Sequence, residues 1–139
     1  MNIGNPSEYL FLYGSLMRDL GAMDALSADL HLQFVSEARV SGQLYDLGDY
    51  PGLLPGQGQV CGEVYKVLSP QVWPILDPYE DYFPESQRNS LYLRRQIELT
   101  GGKGLVWTYI YNRPVGDSPR IDDGDWRRYW LEKRQNMGV

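Results

Sequence analysis

The chain has 139 residues, a formal net charge of −5 and a sequence pI near 4.8. An acidic chain is a poor partner for nucleic acid or for an anionic membrane, because both attract basic surfaces. With one Cys and one His, the chain has almost no material for a Cys/His zinc site or a Ser-His-Asp triad.

The composition predicts one globular domain covering residues 1–139. Hydrophobic residues make up 42% of the chain, which is enough to form a core without disulfides or metal. A lone cysteine fits a reducing compartment, and no apolar stretch is long enough to span a bilayer. The N-terminus lacks the pattern of a signal peptide. We therefore expect a cytoplasmic protein with no membrane partner, as a monomer or a weak homodimer.

The run Tyr-Leu-Phe-Leu-Tyr at residues 9–13 predicts a buried central strand, because both of its faces are apolar. It follows a short polar lead over residues 1–7 and stops at Gly14-Ser15. A strand that ends in Gly-Ser presents backbone N–H groups at its tip, which suit a carboxylate or an oxyanion. A plain strand-to-turn junction fits the same pattern.

The next segments predict a short helix over residues 19–30 and a strand over 32–47 that bends at Gly42. Turn residues over 48–52 predict a loop, which Pro55, Gly56 and Gly58 extend. Alternating residues over 60–68 predict another strand.

The second half begins with Ser69-Pro70, a helix start, but Pro74 and Pro78 oppose a single regular helix. We expect two short turns or a kinked helix ending near Tyr79. Strands over 91–99 and 105–111 form a hairpin around a glycine-rich turn, and a helix follows from Trp126. The sum is an α+β domain with five or six strands.

An acidic segment offers the clearest chemistry. Asp77, Glu80 and Asp81 lie within five positions of one another, between tyrosines. Like charges this close raise the pKa of one member, and a carboxyl of raised pKa suits general acid–base catalysis near neutral pH. A solvated acidic turn fits the same residues. For the basic clusters Arg94-Arg95 and Arg127-Arg128, the second with Lys133-Arg134, we expect a solvated face.

Several short motifs share an order and spacing with a known family. They are Tyr13-Gly14-Ser15-Leu16, Gly42 to Pro51, Gly62-Glu63-Val64-Tyr65, Leu76-Asp77-x-x-Glu80, Tyr92-x-Arg94-Arg95, Trp107-x-Tyr109-x-Tyr111 and Ile121-x-x-Gly124-Asp125-Trp126. Together they resemble the gamma-glutamylcyclotransferase family, which includes the AIG2-like and gamma-glutamylamine cyclotransferase proteins. The resemblance covers nearly the whole chain.

This resemblance implies a small mixed β-barrel with helices packed outside and a cavity at the end of the first strand. It also implies that Glu80 is the catalytic acid–base and that Tyr13, Gly14, Ser15 and Leu16 bind the glutamyl group. Tyr109 and Tyr111 are further candidates for lining the pocket, although core packing fits either. The family often has Gly after the catalytic Glu, whereas this chain has Asp81.

The activity implied is cyclisation of a γ-glutamyl amide to 5-oxoproline with release of an amine, without metal or organic cofactor. A non-catalytic ligand-binding or interaction module on the same fold is the alternative. A hydrolase using Ser15 as nucleophile would need His31 as its base, and nothing in the sequence places these two residues together. The sequence does not identify the leaving amine.

Overall fold

The computed structural model describes residues 8–18 and 20–137, so the predicted polar lead over 1–7 lies outside the described residues. Five strands, Tyr9–Leu12 (β1), Leu32–Asp46 (β2), Pro51–Val67 (β3), Tyr92–Glu98 (β4) and Leu105–Tyr111 (β5), form one mixed sheet in the order β2-β3-β1-β5-β4. The α-helices are Ala22–Ala25 (α1), Trp73–Tyr79 (α2) and Trp126–Met137 (α3), with 3-10 turns at Ala28–His31, Pro70–Val72 and Gln87–Asn89. None of the described helices is long and apolar enough to cross a membrane.

Strand β1 lies at the centre of the sheet, as the sequence predicts. It runs antiparallel to β3 and parallel to β5, and Leu10 and Phe11 are fully buried. The Thr108 hydroxyl donates a hydrogen bond of 2.9 Å to the Phe11 carbonyl, which adds a side-chain tie between β1 and β5. Because both faces of β1 are covered, its end is held in a fixed position within the fold.

The α+β class is confirmed, but the expected barrel closure is not. In the described residues, edge strand β2 meets the other edge at an isolated bridge between Val40 and Leu99, the residue just after β4. A backbone hydrogen bond of 2.9 Å from the Thr100 N–H to the Arg39 carbonyl supports that bridge. One bridge brings the edges together without the continuous ladder of a closed barrel. The structure shows a curved five-stranded mixed sheet with helices outside it.

The predicted loop over residues 48–52, extended to Gly58, is too long. Strand β3 begins at Pro51, and its first residues pair with β2, with Leu53 opposite Leu44 and Leu54 opposite Gln43. Burial of Leu53 outweighs the turn propensity of its neighbours. The predicted bend at Gly42 is confirmed, because the pairing shifts between Ser41 and Gln43.

The predicted helix over 19–30 is also wrong as one element. The described part contains the four-residue α1 and then the 3-10 turn Ala28–His31. Gly21 has φ 95° and Ser27 has φ 57°, so left-handed residues flank α1 on both sides. A residue in that conformation ends an α-helix, which explains why α1 is so short.

The proline-containing segment folds as two short pieces, as expected. The Ser69 side chain caps the 3-10 turn Pro70–Val72 by accepting a hydrogen bond from the Gln71 N–H. Helix α2 follows and ends at Tyr79. Pro74 lies in its first turn, where the missing N–H costs little, and Pro78 lies in its last turn.

The predicted hairpin is confirmed as β4 paired antiparallel with β5. Its turn closes with a 2.8 Å hydrogen bond from the Leu99 N–H to the Gly104 carbonyl. Strand β4 is one residue shorter at each end than the predicted 91–99.

Helix α3 is fixed to the sheet at its first residue. Trp126 is buried and stacks on Tyr129 and Trp130. Just before the helix, Gly124 has φ 66°, and a Cβ there would meet the Gln59 carbonyl oxygen at 1.9 Å. Only glycine fits this approach, so the Gly-Asp-Trp motif is a packing requirement of α3 on β3.

A buried carboxylate joins three parts of the fold. Glu63 on β3 is fully buried, and it accepts hydrogen bonds from the Arg18 N–H, the Arg18 Nε, the Arg127 guanidinium and the Tyr65 hydroxyl. Arg127 comes from α3. Our expectation of a solvated basic face is therefore wrong for Arg127, because its partner Glu63 lies far away in the sequence and no local pattern reveals it.

Candidate active site

A cavity of about 300 Å³ opens at the end of β1, where the resemblance placed one. Its walls come from the end of β1 and the turn after it, the start of β3, the end of α2, the start of β4 and the middle of β5. The lining residues are Phe11, Leu12, Tyr13, Gly14, Ser15, Leu16, Tyr50, Pro51, Tyr79, Glu80, Asp81, Leu91, Tyr92, Thr108 and Tyr109.

The turn after β1 forms one wall. It closes with a 3.0 Å hydrogen bond from the Met17 N–H to the Gly14 carbonyl. Gly14 offers only backbone atoms to the cavity, and a Cβ there would lie 3.0 Å from the Pro51 side chain. A larger residue would have to displace Pro51, which also lines the cavity, so the close approach of these two walls favours glycine. A ligand can approach the main chain closely here.

Tyr13 holds the turn in place. Its hydroxyl donates a 2.5 Å hydrogen bond to the Tyr109 carbonyl and accepts one of 3.3 Å from the Leu53 N–H. Burial, and next the charge of Glu80, raise the pKa of Tyr13, so it stays a neutral donor. The Tyr13 hydroxyl is thus committed to the scaffold, and its ring is what faces the cavity.

Glu80 lies at the C-terminus of α2, in a defined capping motif. The Tyr82 N–H donates to the Asp77 carbonyl at 2.9 Å, and the Asp81 N–H donates to the Pro78 carbonyl at 3.1 Å. These two bonds form a Schellman motif, in which the residue after the cap adopts the left-handed conformation. Asp81 is that residue, with φ 52°. Glycine adopts this conformation without strain, so Asp81 is the residue of the motif that carries a conformational cost.

The environment of Glu80 suits proton transfer near neutral pH. Burial, followed by the negative charges of Asp81 and Asp77, raises the pKa of Glu80 to about 8. No Lys, Arg or His side chain is among the described residues that line the cavity to offset this effect. Glu80 can therefore both accept and return a proton near neutral pH.

Asp77 has a different role from Glu80, although the two are one helical turn apart. It is 7% exposed and accepts two hydrogen bonds from Arg94, at 3.1 and 3.2 Å, and one of 2.6 Å from the Tyr109 hydroxyl. With its oxygens already hydrogen-bonded, Asp77 is poorly placed to accept a substrate proton. It fixes α2 against β4 and β5, and so positions Glu80.

Arg94 is enclosed by aromatic rings. Its guanidinium lies 4.1 Å from the centre of the Trp73 ring and 5.4 and 5.6 Å from those of Trp107 and Tyr82. Cation–π contacts of this kind strengthen as water is excluded. The expected solvated face is therefore wrong for Arg94 as well, because this side chain belongs to the support of the site.

The two tyrosines that the sequence offered as lining candidates differ in position. Tyr109 lines the cavity, and its hydroxyl donates to Asp77. Tyr111 is not among the lining residues. Its ring packs edge-on against Tyr92, with 5.4 Å between the ring centres, and Tyr92 reaches the cavity in its place. The structure thus brings together Tyr13, Gly14, Ser15, Leu16, Tyr109 and Glu80, and leaves Tyr111 behind them.

Ser15 and Tyr79 meet across the cavity. Their oxygen atoms lie 2.8 Å apart, which links the turn after β1 to the end of α2. His31, the base that a Ser15 nucleophile would need, is in the 3-10 turn before β2 and is not among the lining residues. This arrangement gives no support to a serine hydrolase.

Sequence reasoning missed Tyr50, Pro51, Tyr79 and Tyr92 as cavity residues. The Tyr92 hydroxyl donates a 2.5 Å hydrogen bond to the Pro51 carbonyl, which ties β4 to the start of β3. The high number of tyrosines was a general signal for hydroxyl groups near a pocket, but it does not select these positions.

A metal centre has no support in the described part of the chain. Within residues 8–18 and 20–137, no group of three or more His, Cys, Asp and Glu side chains is arranged to hold a metal ion. What the cavity does hold is one carboxyl of raised pKa and, in the same lining, the turn that follows β1.

Comparison with known proteins agrees with these features. Residues 10–128 match the family described as gamma-glutamyl cyclotransferase, AIG2-like. The chain is 34% identical over 118 residues to the gamma-glutamylcyclotransferase family protein YtfP of Escherichia coli K12, covering 84% of this chain and 94% of that protein. It is 33% identical over 126 residues to the gamma-L-glutamyl-butirosin B gamma-glutamyl cyclotransferase of Niallia circulans, covering 88% of this chain and 78% of that one.

The fold has solved counterparts. The crystal structure of an AIG2-like protein from Mus musculus superposes with a TM-score of 0.68 at 25% identity, covering 85% of this chain and 88% of the mouse chain.

Proposed function

Because the chain belongs to the gamma-glutamyl cyclotransferase, AIG2-like family, we propose that it converts a γ-glutamyl amide into 5-oxoproline and a free amine. The enzyme is then an acyltransferase that forms a lactam and needs no cofactor. The observation that carries this proposal is Glu80, a carboxyl with a pKa raised to about 8, in a cavity shared with the Gly14–Leu16 turn.

The reaction is an intramolecular acyl transfer. The α-amine of the glutamyl group attacks its own γ-carbonyl carbon, a new C–N bond closes the five-membered ring, and the bond to the leaving nitrogen breaks. Glu80 takes the proton that the attacking amine loses and delivers it to the leaving amine, so proton and charge balance. Both reacting groups belong to one molecule, so holding the folded conformer removes much of the entropic barrier.

The turn after β1 serves the substrate carboxylate or the developing oxyanion. Its backbone N–H groups are the natural donors, because no cationic side chain lines the cavity among the described residues. Tyr13, Gly14, Ser15 and Leu16 then bind the glutamyl group mainly by main chain and shape, while Tyr109 forms part of the wall. Tyr111 is assigned a supporting role behind Tyr92.

A further feature of the proposed reaction is the size of the amine that it releases. One relative is named for a γ-glutamyl derivative of butirosin B, and we propose that the leaving amine of this chain's substrate likewise belongs to a larger molecule. Tyr50 and Tyr79 line the cavity and are 40% and 42% exposed, so the part of the substrate beyond the scissile bond would reach solvent beside them.

The test is a screen of γ-glutamyl amides of amines, amino acids and dipeptides, with chromatographic detection of 5-oxoproline. We expect release of 5-oxoproline and amine in equal amounts from at least one class, without added metal. Ser15→Ala should retain measurable turnover, because Ser15 is not a covalent nucleophile in this scheme. If no γ-glutamyl compound is cyclised by folded protein, or an acyl group is found on Ser15, the proposal is wrong; with no cyclisation, the ligand-binding alternative takes its place.

A further inference from the structure

We propose that the cavity selects γ-glutamyl amides whose leaving amine carries a second positive charge, and that Asp81 is the residue that determines this preference. The proposal rests on the proposed function, and it goes further by naming the chemistry of the leaving group. Three features of the cavity support it.

The first feature is that the charged side chains lining the cavity are all acidic. Among the described residues that line it, Glu80 and Asp81 are the acidic groups, and none is Lys, Arg or His. The nearby cation Arg94 is occupied by both oxygens of Asp77 and enclosed by aromatic rings. A leaving group with a carboxylate would therefore meet a negative wall with no partner, whereas an ammonium would meet a partner.

The second feature is the fixed position of Asp81. Its N–H donates to the Pro78 carbonyl, and its carbonyl accepts a 2.9 Å hydrogen bond from the Leu91 N–H. The backbone of Asp81 is thus held on both sides, and its exposed side chain follows Glu80 directly in the sequence. Both residues line the cavity, so the charge of Asp81 lies close to Glu80 and contributes to its raised pKa.

The third feature is the aromatic rim. Tyr50 and Tyr79 line the cavity and are 40% and 42% exposed, so both side chains lie where the cavity meets solvent. Aromatic faces beside a carboxylate are a common way to bind an ammonium group, because the ring quadrupole and the anion act together. Since Glu80 lies deeper and receives the reacting amine, the rim and Asp81 remain for the distal part of the leaving group.

The kinetic test uses three γ-glutamyl amides of similar length. Their leaving groups are 1,4-diaminobutane, which is cationic, n-butylamine, which is neutral, and 4-aminobutyrate, which is anionic. We expect kcat/KM to fall in that order, by roughly two- to fivefold at each step at low ionic strength. Asp81→Asn should bring the three values close together, because Asn keeps the left-handed backbone and removes the charge.

Reading the result as a ratio between substrates removes side effects of the variant. Loss of the Asp81 charge also changes Glu80, but that change acts equally on all three amides. Asp117→Asn is the matched control, because it removes one negative charge from an exposed residue that does not line the cavity. The order of the three substrates should survive in that control.

A binding measurement tests this inference separately from the proposed function. Calorimetric titration of the three amides into Glu80→Gln, with and without Asp81→Asn, measures the preference without turnover. Tighter binding of the cationic amide that Asp81→Asn removes supports the inference even if no 5-oxoproline is ever formed, in which case only the proposed function fails. Equal binding of the three amides, no binding by any of them, or a preference that Asp81→Asn leaves intact overturns the inference.

Discussion

Glu63, which is fully buried, and Glu80, which is half-buried in the cavity wall, are in opposite electrostatic states within one small domain. Burial raises the pKa of both, but hydrogen bonds from the Arg18 backbone, Arg127, the Arg18 side chain and Tyr65 lower that of Glu63 overall. Glu80 has no such donors among the causes of its shift, and the neighbouring Asp81 and Asp77 raise its pKa further. The partners of a carboxyl, more than its depth, decide whether it is held ionised in a network of donors or left with a raised pKa.

The largest effect is expected from Glu80→Gln. The amide keeps the shape of the side chain but cannot accept a proton, so turnover of an active γ-glutamyl substrate should fall by ~10²–10⁴. Circular dichroism should show an unchanged fold, because Glu80 forms no ion pair in the described structure. Glu85→Gln, three residues beyond the capping motif and exposed, is the control and should turn over normally. Turnover of folded Glu80→Gln within a few-fold of the parent would show that Glu80 is not the catalytic residue.

Glu63→Gln should show the opposite pattern, with a large loss of stability. It leaves Arg127 without its carboxylate partner in a buried place, which costs about 3 kcal/mol. Urea denaturation measures the loss. Glu37→Gln is the control, because Glu37 pairs with Arg18 at 3.8 Å but its side chain is 71% exposed. If Glu63→Gln and Glu37→Gln are equally stable, the buried cluster does not support the fold as described.

The pH dependence of stability should separate the two carboxyls. Glu80 has an unperturbed pKa of 4.5 and one of about 8 in the folded protein, so between these values the folded state holds an extra proton. The free energy of unfolding therefore falls as pH rises from about 4.5 to 8 on account of Glu80. Glu63 has a lowered pKa, so its contribution is present above pH 4.5 and is lost as pH falls through the folded value.

The measurement is the difference in the free energy of unfolding between Glu80→Gln and the parent, taken at several pH values. Because Gln does not titrate, the variant should become more stable relative to the parent as pH rises through that window. A difference that stays constant with pH would show that the Glu80 pKa is not raised.

The smallest effect is expected from Asp81→Gly. Asp81 has φ 52°, and relief of the left-handed strain should stabilise the fold by about 1 kcal/mol. Loss of its charge should also lower the pKa of Glu80, which NMR titration of the side-chain carboxyl can follow. Asp81→Asn is the control, because it removes the charge but keeps a side chain at the strained position. Equal stability of the Gly and Asn variants would argue against backbone strain.

Local patterns were sufficient for the parts of the fold that are set locally. The central strand, the β4–β5 hairpin and the short pieces around Pro74 and Pro78 all follow from residue type and spacing. The start of β3 could not be predicted, since pairing of Leu53 with Leu44 overrides the turn residues around it. Here tertiary contact decides the structure.

The same distinction applies to the candidate site. The Gly14–Ser15 tip and the acidic segment stood out because their residues are adjacent in sequence, and the crowding of Glu80 by Asp77 and Asp81 was visible there. The pairs Arg94–Asp77 and Arg127–Glu63 were invisible, because their members are 17 and 64 residues apart. The catalytic role of Glu80 itself stays a prediction.

The central position of β1 also determines the order in which the chain can complete its fold. The Thr108–Phe11 hydrogen bond joins residues 97 positions apart, so an early segment waits for a late one during synthesis. Until β5 leaves the ribosome, one edge of β1 and its apolar side chains lack their cover. Such non-local pairing slows folding, and the exposed apolar surface makes the intermediate prone to aggregation, against which chaperones protect. Strand β1, which leads into the candidate site, therefore completes its pairing late in the synthesis of the protein.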